Sequence, residues 1–309
     1  MNSDSLRPIM VKRSILVRVP ATTANLGPGF DTLGVALQLY NDFELTLLDA
    51  KEIEIVAELD DIQLEGAKSL IKKTAEAFYA QAGIGFRGFR VEITNDVPLA
   101  RGLGSSSTVI VGIVAGLNRL LGKPLKKKDL VNLVASIEGH PDNVVPALVG
   151  GFVASSFNDG RVVYLRKELP YKLKFIVFIP DVEIETSKAR EILPAHYSRQ
   201  DVVRNINQAC LLTAAIISGE YKLIGQFLDD RIHQPYRAQL LPELYNVISC
   251  GQKAGALGGW LSGSGSTICC VTLEKAALVA QSMKKAYNKK KNGGVTRILA
   301  VDNQGVTFQ

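Results

Sequence analysis

Apolar positions recur along this chain with two periods, one near two residues and one near three to four. Ile15–Val19 reads as a strand interrupted by Arg18, and Phe43–Leu47 and Phe89–Thr94 follow as further strands. Ala67–Ala82 carries a helical face through positions 70, 71, 74, 75 and 78, and Gly83 supplies its stop. Ser106–Leu121 is a mostly apolar helix closed by Gly122 and Pro124, and Asp129 predicts an N-cap for a helix reaching Glu138. Gly150–Phe157 and Arg161–Leu165 read as a hairpin around Asn158-Asp159-Gly160. The alternation then resumes: a strand at Leu173–Ile179, a helix at 201–217 capped by Asp201, a short helix at Tyr221–Leu228, a strand at Ile268–Leu273, a helix at Lys275–Tyr287 and a strand at Thr296–Val301. Strands and helices therefore predict an α+β chain: an N-terminal extension at 1–14, one lobe at 15–168 and a second at 169–309, with a ligand cleft between the lobes.

Composition narrows this picture without redirecting it. With 309 residues, 47% hydrophobic and 21% charged, the chain has the make-up of a globular enzyme with a sizeable core. Its apolar runs are too short for a membrane span and its N-terminus lacks a signal-peptide core, so a cytoplasmic protein is expected. The four cysteines form no C-x-x-C pair, which speaks for reduced thiols and against zinc. Adjacent Cys269 and Cys270 should face opposite sides of a strand. The net charge of +6 resides largely in Lys126–Lys128 and in the lysines of 284–291; they lack interleaved aromatics, so they read as solvated helix faces rather than a nucleic-acid surface.

Six stretches carry candidate chemistry. In P-L-A-R-G-L-G-S-S-S-T (98–108), two glycines and three serines precede an apolar helix. A helix N-terminus presents unpaired N–H groups and a partial positive charge, and glycine lets the backbone approach a phosphate, so this loop is an anion-site candidate. It is neither a Walker A loop nor a dinucleotide fingerprint, because the lysine and the third glycine are missing. P-A-T-T-A-N-L-G-P-G-F-D (20–31) is a polar turn between apolar strands. In E-G-H-P-D-N-V, Glu138 falls on the apolar stripe of its helix, four and seven residues after Val134 and Val131, so it needs a metal or an arginine partner. T-S-K-A-R (186–190) and H-Q-P-Y-R (233–237) each end in an arginine able to grip a carboxylate. G-G-W-L-S-G-S-G-S-T (258–267) is a Gly/Ser loop ahead of a strand.

In order along the chain, 19–31, 98–107 and 261–267 resemble the three motifs of the GHMP kinases, and the likeness runs from about Leu16 to Val301. Within that family H-P-D-N-V-V-P-A, T-S-K-A-R-E-I-L-P and P-Y-R-x-x-L-L-P are most similar to the homoserine kinases. The resemblance implies a two-lobed fold, with an N-terminal mixed α/β lobe and a C-terminal ferredoxin-like α/β sandwich. It also implies phosphorylation of a small alcohol, L-homoserine, by ATP with Mg2+, by a protein that binds neither nucleic acid nor membrane and can form a homodimer. Other GHMP kinases, acting on mevalonate or a sugar, and a non-catalytic ligand-binding member are the alternatives. Carried over residue by residue, the ATP loop would be Pro98, Leu99, Ala100, Arg101, Gly102, Leu103, Gly104, Ser105, Ser106, Ser107 and Thr108, with Ser106 and Glu138 holding magnesium. Asn25, Asp31, His140, Asn143, Thr186, Arg190 and Arg237 would surround the substrate, both arginines on its carboxylate; Asp31, Asn143 and Glu138 would be catalytic, with Asp31 taking the hydroxyl's hydrogen bond. The chain departs from the family at Ser266, where proline is usual, at Trp260, where a small residue is usual, and at Ser69-Leu70, where Asn-Leu is frequent.

Overall fold

Two sheets organise the chain, as a computed structural model describing residues 14–287 and 293–309 shows. Of the expected N-terminal extension only Ser14 is described, as the first residue of a strand, and Lys289–Lys291 of the second lysine cluster lie outside the described residues. The first sheet contains β1 (Ser14–Ala24), β2 (Leu33–Leu47), β3 (Ile53–Ala57), β4 (Phe89–Asn95), β5 (Phe152–Asn158), β6 (Arg161–Lys167) and β11 (Thr307–Phe308). Its order is β11-β1-β2-β4-β3, with the β5–β6 hairpin attached to the start of β2; β3–β4 is the one parallel pair among the described residues. Onto one face pack α1 (Asp61–Ala82), α2 (Ser105–Leu120), α3 (Lys127–Glu138) and α4 (Pro141–Val149). Their core joins Val17, Phe43, Phe89 and Val91 of the sheet to Phe78, Ile110, Ile113 and Val134.

The second sheet is antiparallel, in the order β10 (Gly294–Ala300), β7 (Lys174–Pro180), β9 (Ile268–Thr272) and β8 (Gly258–Leu261). On one face α8 (Leu244–Lys253) and α9 (Ala276–Ala286) pack over Ile176, Phe178 and Cys270. On the other, Phe175, Val177, Trp260 and Cys269 meet Leu212 and Ile216 of α6 (Arg199–Ser218) and Val35, Leu37 and Phe152 of the first sheet, so one apolar cluster joins the lobes. Cys269 and Cys270 do face opposite sides, and all four thiols are free. Between β7 and α6 lies the short α5 (Thr186–Glu191); after α6 come a 3-10 turn, Tyr221–Phe227, and α7 (Gln234–Arg237). Residues 301–309 return to the first lobe: Asp302 N–H donates to Ala36 O (2.8 Å), Asp302 O accepts from Gly151 N–H (2.7 Å), and β11 pairs with β1. No helix among the described residues is long and apolar enough to cross a membrane.

The expected caps shift by one turn. Asp129 stands inside α3, accepting from Lys126 N–H (3.3 Å), and Lys126 occupies the cap position. Asp201 stands inside α6, whose cap is Ser198, accepting from Asp201 N–H (3.1 Å). An acidic residue in the first turn favours the helix dipole as a cap does, so spacing alone does not separate the two. The 221–228 helix is a 3-10 turn, and α1 starts six residues early, where Asp60 accepts from Gln63 N–H (2.8 Å).

α2 is buried around almost its whole circumference, and Gly112 is what lets it approach the sheet: a Cβ there would come within 2.6 Å of the Phe43 ring. Gly112→Val should therefore cost about 1–3 kcal/mol by overpacking, read as a lower urea midpoint with an unchanged slope. Unchanged stability would mean that α2 and β2 are less tightly engaged than this contact requires.

Candidate active site

The cleft between the lobes is built from six segments, tied to one another by hydrogen bonds. β1 ends in a turn where Asn25, Leu26 and Gly27 take φ of 70°, 45° and 76°, and Asp31 takes 52°. Positive φ is costly for residues with a Cβ, so side-chain contacts must hold this turn. Asn25 does so twice: its Nδ2 donates to Gly263 O (3.0 Å) and its Oδ1 accepts from Asp31 N–H (3.1 Å). Leu26 is anchored in the interlobe core.

The 98–108 loop lies beside it. Thr22 N–H donates to Leu103 O (3.0 Å), and the first helical bond of α2 runs from Thr108 N–H to Gly104 O (2.9 Å), leaving the N–H groups of Ser105–Ser107 ahead of that bond. Gly102 and Gly104 have φ of 74° and 73°. The place of their absent Cβ atoms is taken by the protein itself, Ser262 O and Thr22 Oγ1, each 2.1 Å from the ideal Cβ position. Glycine is thus required here by φ and by packing, rather than by open space for a phosphate. Ala100, Arg101, Gly102, Gly104, Ser105 and Ser106 line the cleft, whereas Pro98, Leu99, Leu103, Ser107 and Thr108 do not. Leu103 is core, Ser107 donates to Glu138 Oε1 (2.9 Å), and Thr108 donates to Ser105 O (2.7 Å). Ser105 Oγ is buried with no hydrogen-bond partner among the described residues, while its residue lines the cleft.

Glu138 reaches the cleft from the end of α3, where Gly139 turns the chain with φ of 91°. Among the described residues no arginine pairs with it; burial pushes its carboxyl up, with His140 and the Ser107 hydroxyl opposing. His140 Nδ1 lies 2.6 Å from Asp142 Oδ1. Burial lowers the basicity of this ring, but Asp142 and then Glu138 outweigh it, and the net shift is upward. Asn143 Oδ1 accepts from the Thr22 hydroxyl (2.7 Å). Asp31, His140 and Asp142 place one ligand atom each within 4.8 Å of one another.

The two arginines differ. Arg190, on α5, spends both terminal nitrogens on Asp31 (2.9 and 2.7 Å), so a carboxylate ligand must share or displace that pair. Arg237 is 2% exposed and bridges loops: Nε donates to Ala189 O (2.9 Å) and Nη1 to Gly263 O (3.0 Å), with His233 Nδ1 at 3.3 Å. Burial and then the Arg190 charge push its guanidinium down to about 10. His233 Nε2 lies 2.8 Å from Gly27 O, so the network assigns the ring proton to Nε2 and leaves Nδ1 to accept from Arg237. Thr186 Oγ1 is 3.4 Å from Ser264 Oγ, and both residues line the cleft. The sequence reading did not single out Asp142, Phe30 or His233 as site residues, although all three lie inside its motifs. Phe30 stacks on His233 (5.1 Å) and lies under Arg190 and Arg237 (5.4 and 5.1 Å). Of the departures, Trp260 is core and donates to Thr23 Oγ1 (3.0 Å), Ser266 donates to Val182 O, and Ser69 is exposed on α1.

The two site histidines set opposite pH limbs. Burial pushes His233 below its ordinary 6.5, Asp230 opposing and Arg237 adding; His140 is shifted above 6.5. As pH falls below 6.5 the unfolded chain takes up a proton that folded His233 refuses, so stability drops by up to about 1.4 kcal/mol per pH unit. The stability due to His140 is complete below 6.5 and lost as pH rises through its raised value. Their joint contribution should peak near 6.5. Denaturation midpoints measured across that range should show it, and His233→Gln should flatten the fall between about pH 5 and 6.5. An acid limb unchanged by His233→Gln would assign it to another group.

Two family models match: the GHMP kinases N terminal domain over residues 69–151 and the GHMP kinases C terminal over 212–289. The homoserine kinase of Moorella thermoacetica is 41% identical over 290 residues, covering 94% of this chain and 98% of that enzyme. That of Clostridium beijerinckii is 40% identical, covering 95% and 98%. The crystal structure of homoserine kinase from Cytophaga hutchinsonii superposes with a TM-score of 0.88 at 32% identity, covering 96% of this chain and 98% of that one. The structure of L. major mevalonate kinase, at 14% identity and a TM-score of 0.68, shares the fold alone. Likeness of this degree through both lobes is what common descent leaves: the chain belongs to the GHMP kinases, in their homoserine kinase branch.

Proposed function

We propose that the cleft transfers the γ-phosphoryl group of ATP to the side-chain hydroxyl of L-homoserine, giving ADP and O-phospho-L-homoserine. The observation that carries this reading is the pairing of the α2 N-terminus with carboxylates and arginines in one cleft. A phosphate needs the first, and a zwitterionic amino acid needs both signs of the second. A neutral sugar needs neither Arg237 nor Asp142.

Gly102–Ser107 would receive the phosphates on the free N–H groups and on Ser105 Oγ. Ser106 and Glu138 would hold magnesium. They fit it: one exposed hydroxyl and one carboxylate with only Oε1 engaged, by Ser107, are hard oxygen donors. So few protein ligands suit an ion that keeps waters and substrate phosphates. Bound there, the ion would neutralise phosphate charge.

Asn25, Asp31, His140, Asn143, Thr186, Arg190 and Arg237 would surround homoserine, the arginines on its carboxylate. Asp142, 2% exposed, adds a buried anion for the amino group. Asp31 would accept from the reacting hydroxyl and Asn143 would orient it, but among the described residues no unpaired carboxylate of the cleft stands ready as a base. Asp31 holds Arg190, Asp142 holds His140 and Glu138 holds Ser107. Catalysis then rests on alignment and charge neutralisation, which phosphoryl transfer permits.

ADP release should be fastest with homoserine among homoserine, mevalonate, galactose, serine and threonine, each with magnesium and ATP; turnover confined to mevalonate or galactose would overturn the assignment. Glu138→Gln should lower kcat by about 10²–10³-fold with little change in Tm, since no buried cation is stranded. Extra magnesium should restore part of the rate. Full activity with a lowered Tm would make Glu138 a structural residue only.

A further inference from the structure

A groove opens on the first lobe between the end of α2, the start of α3 and the returning tail. Its volume is about 680 Å³, the size of a small-molecule site. α2 runs from the cleft to this groove and rises about 20 Å between Ser106 and Arg119, so the two places are separate. Leu125, Leu130, Val306 and Phe308 form an apolar floor. Arg119, Lys123, Lys126 and Lys127 stand around it, and no carboxylate lines it. None of these four cations has an ion-pair partner among the described residues. The turn that carries the lysines is held by buried Asn118, which accepts from Leu125 N–H (2.9 Å) and donates to Leu125 O (3.2 Å), while Lys123 N–H donates to Asn118 O (2.6 Å). Helix stability does not account for Lys126 and Lys127, because cations at the start of a helix oppose its dipole.

We propose that this groove is a second nucleotide site, taking a nucleoside di- or triphosphate whatever the cleft transfers. Charge calls for the polyphosphate: four cations without an acid suit a ligand of several negative charges, and a carboxylate would answer only one of them. The floor calls for the base. Phe308 is 40% exposed with the Arg119 guanidinium 5.7 Å from its ring centroid, and a flat heterocycle stacks on a ring or a guanidinium plane. The exposed Gln304 amide on the same wall offers a donor and an acceptor to the edge of that heterocycle. Leu125 and Leu148 are already buried, so the open apolar surface is too small for a protein partner and enough for one base.

Equilibrium dialysis against labelled ADP, up to about 1 mM, should saturate at one site per chain more than the cleft supplies. Lys126→Glu combined with Lys127→Glu should weaken that additional site at least about tenfold and leave the KM for ATP unchanged. In the unsubstituted chain ADP should slow acetylation of Lys126 and Lys127, read by mass spectrometry, while Lys128, outside the groove, reacts at one rate with or without it. Inorganic tripolyphosphate, which lacks the base, should displace ADP from the groove only at higher concentration. A saturation that the lysine substitutions leave unchanged overturns the proposal, as does a raised KM for ATP, which would assign the lost site to the cleft. Acetylation of Lys126 and Lys127 indifferent to ADP overturns it too, and so does tripolyphosphate binding as tightly as ADP. A cleft that binds no ADP would lower the total count, yet the groove remains identified as the site that the two lysine substitutions remove.

Discussion

A buried guanidinium fixes the geometry of this cleft. Arg237 is sealed from water, and a charge so placed is tolerable only with its donors met. The groups that meet them belong to different segments: Ala189 on α5, Gly263 in the loop after β8, and His233, which passes the connection on to Gly27. His233 in turn must be neutral, because a proton on Nδ1 would confront the arginine. Asp230 holds the segment from below, accepting from the N–H groups of Ile232, His233 and Gln234. Two lobes are thereby locked in one arrangement by a cation that is itself on the wall of the cleft.

Around that fixed point the charges are arranged as pairs rather than as free groups. Asp31 with Arg190, Asp142 with His140, and Glu138 with the Ser107 hydroxyl are each satisfied within the protein. Such pairs keep the carboxylates in place at modest cost and leave them open to exchange with a charged ligand. Ser105 Oγ, buried and unmet, is the contrasting case, and it stands at the helix end that has unpaired N–H groups to offer. On the proposed reading, anion recognition and amino-acid recognition reside in different materials, backbone on one side and side-chain pairs on the other.

What the sequence revealed and what it hid follow from these materials. The glycines, serines and motif arginines were legible because φ > 0 and planar cations admit few residue types. Their reasons were less so. Gly102 and Gly104 are backed by Ser262 and Thr22, residues of other loops far away along the chain, contacts which no local pattern contains. Arg190 read as a free grip, yet its partner Asp31 lies 159 positions away. Helix α4 escaped because Pro141 and Pro146 look like breakers, although proline suits a first turn. Strand β8 escaped because its glycines mimic a loop, and the first residues of β2 because both their faces are buried, which erases alternation. Asp129 and Asp201 were placed as caps for want of any signal separating cap from first turn.

The return of residues 301–309 bears on how such a chain is made. β11 covers the free edge of β1, and Asp302 closes the gap between Ala36 and Gly151. A ribosome delivers β1 first and these residues only after the whole second sheet has emerged. During synthesis the outer backbone of β1 therefore waits, unpaired, for the length of an entire lobe. An open strand edge is a template for wrong pairing, so the edge of β1 stays exposed to that hazard until the strand that covers it has left the exit tunnel.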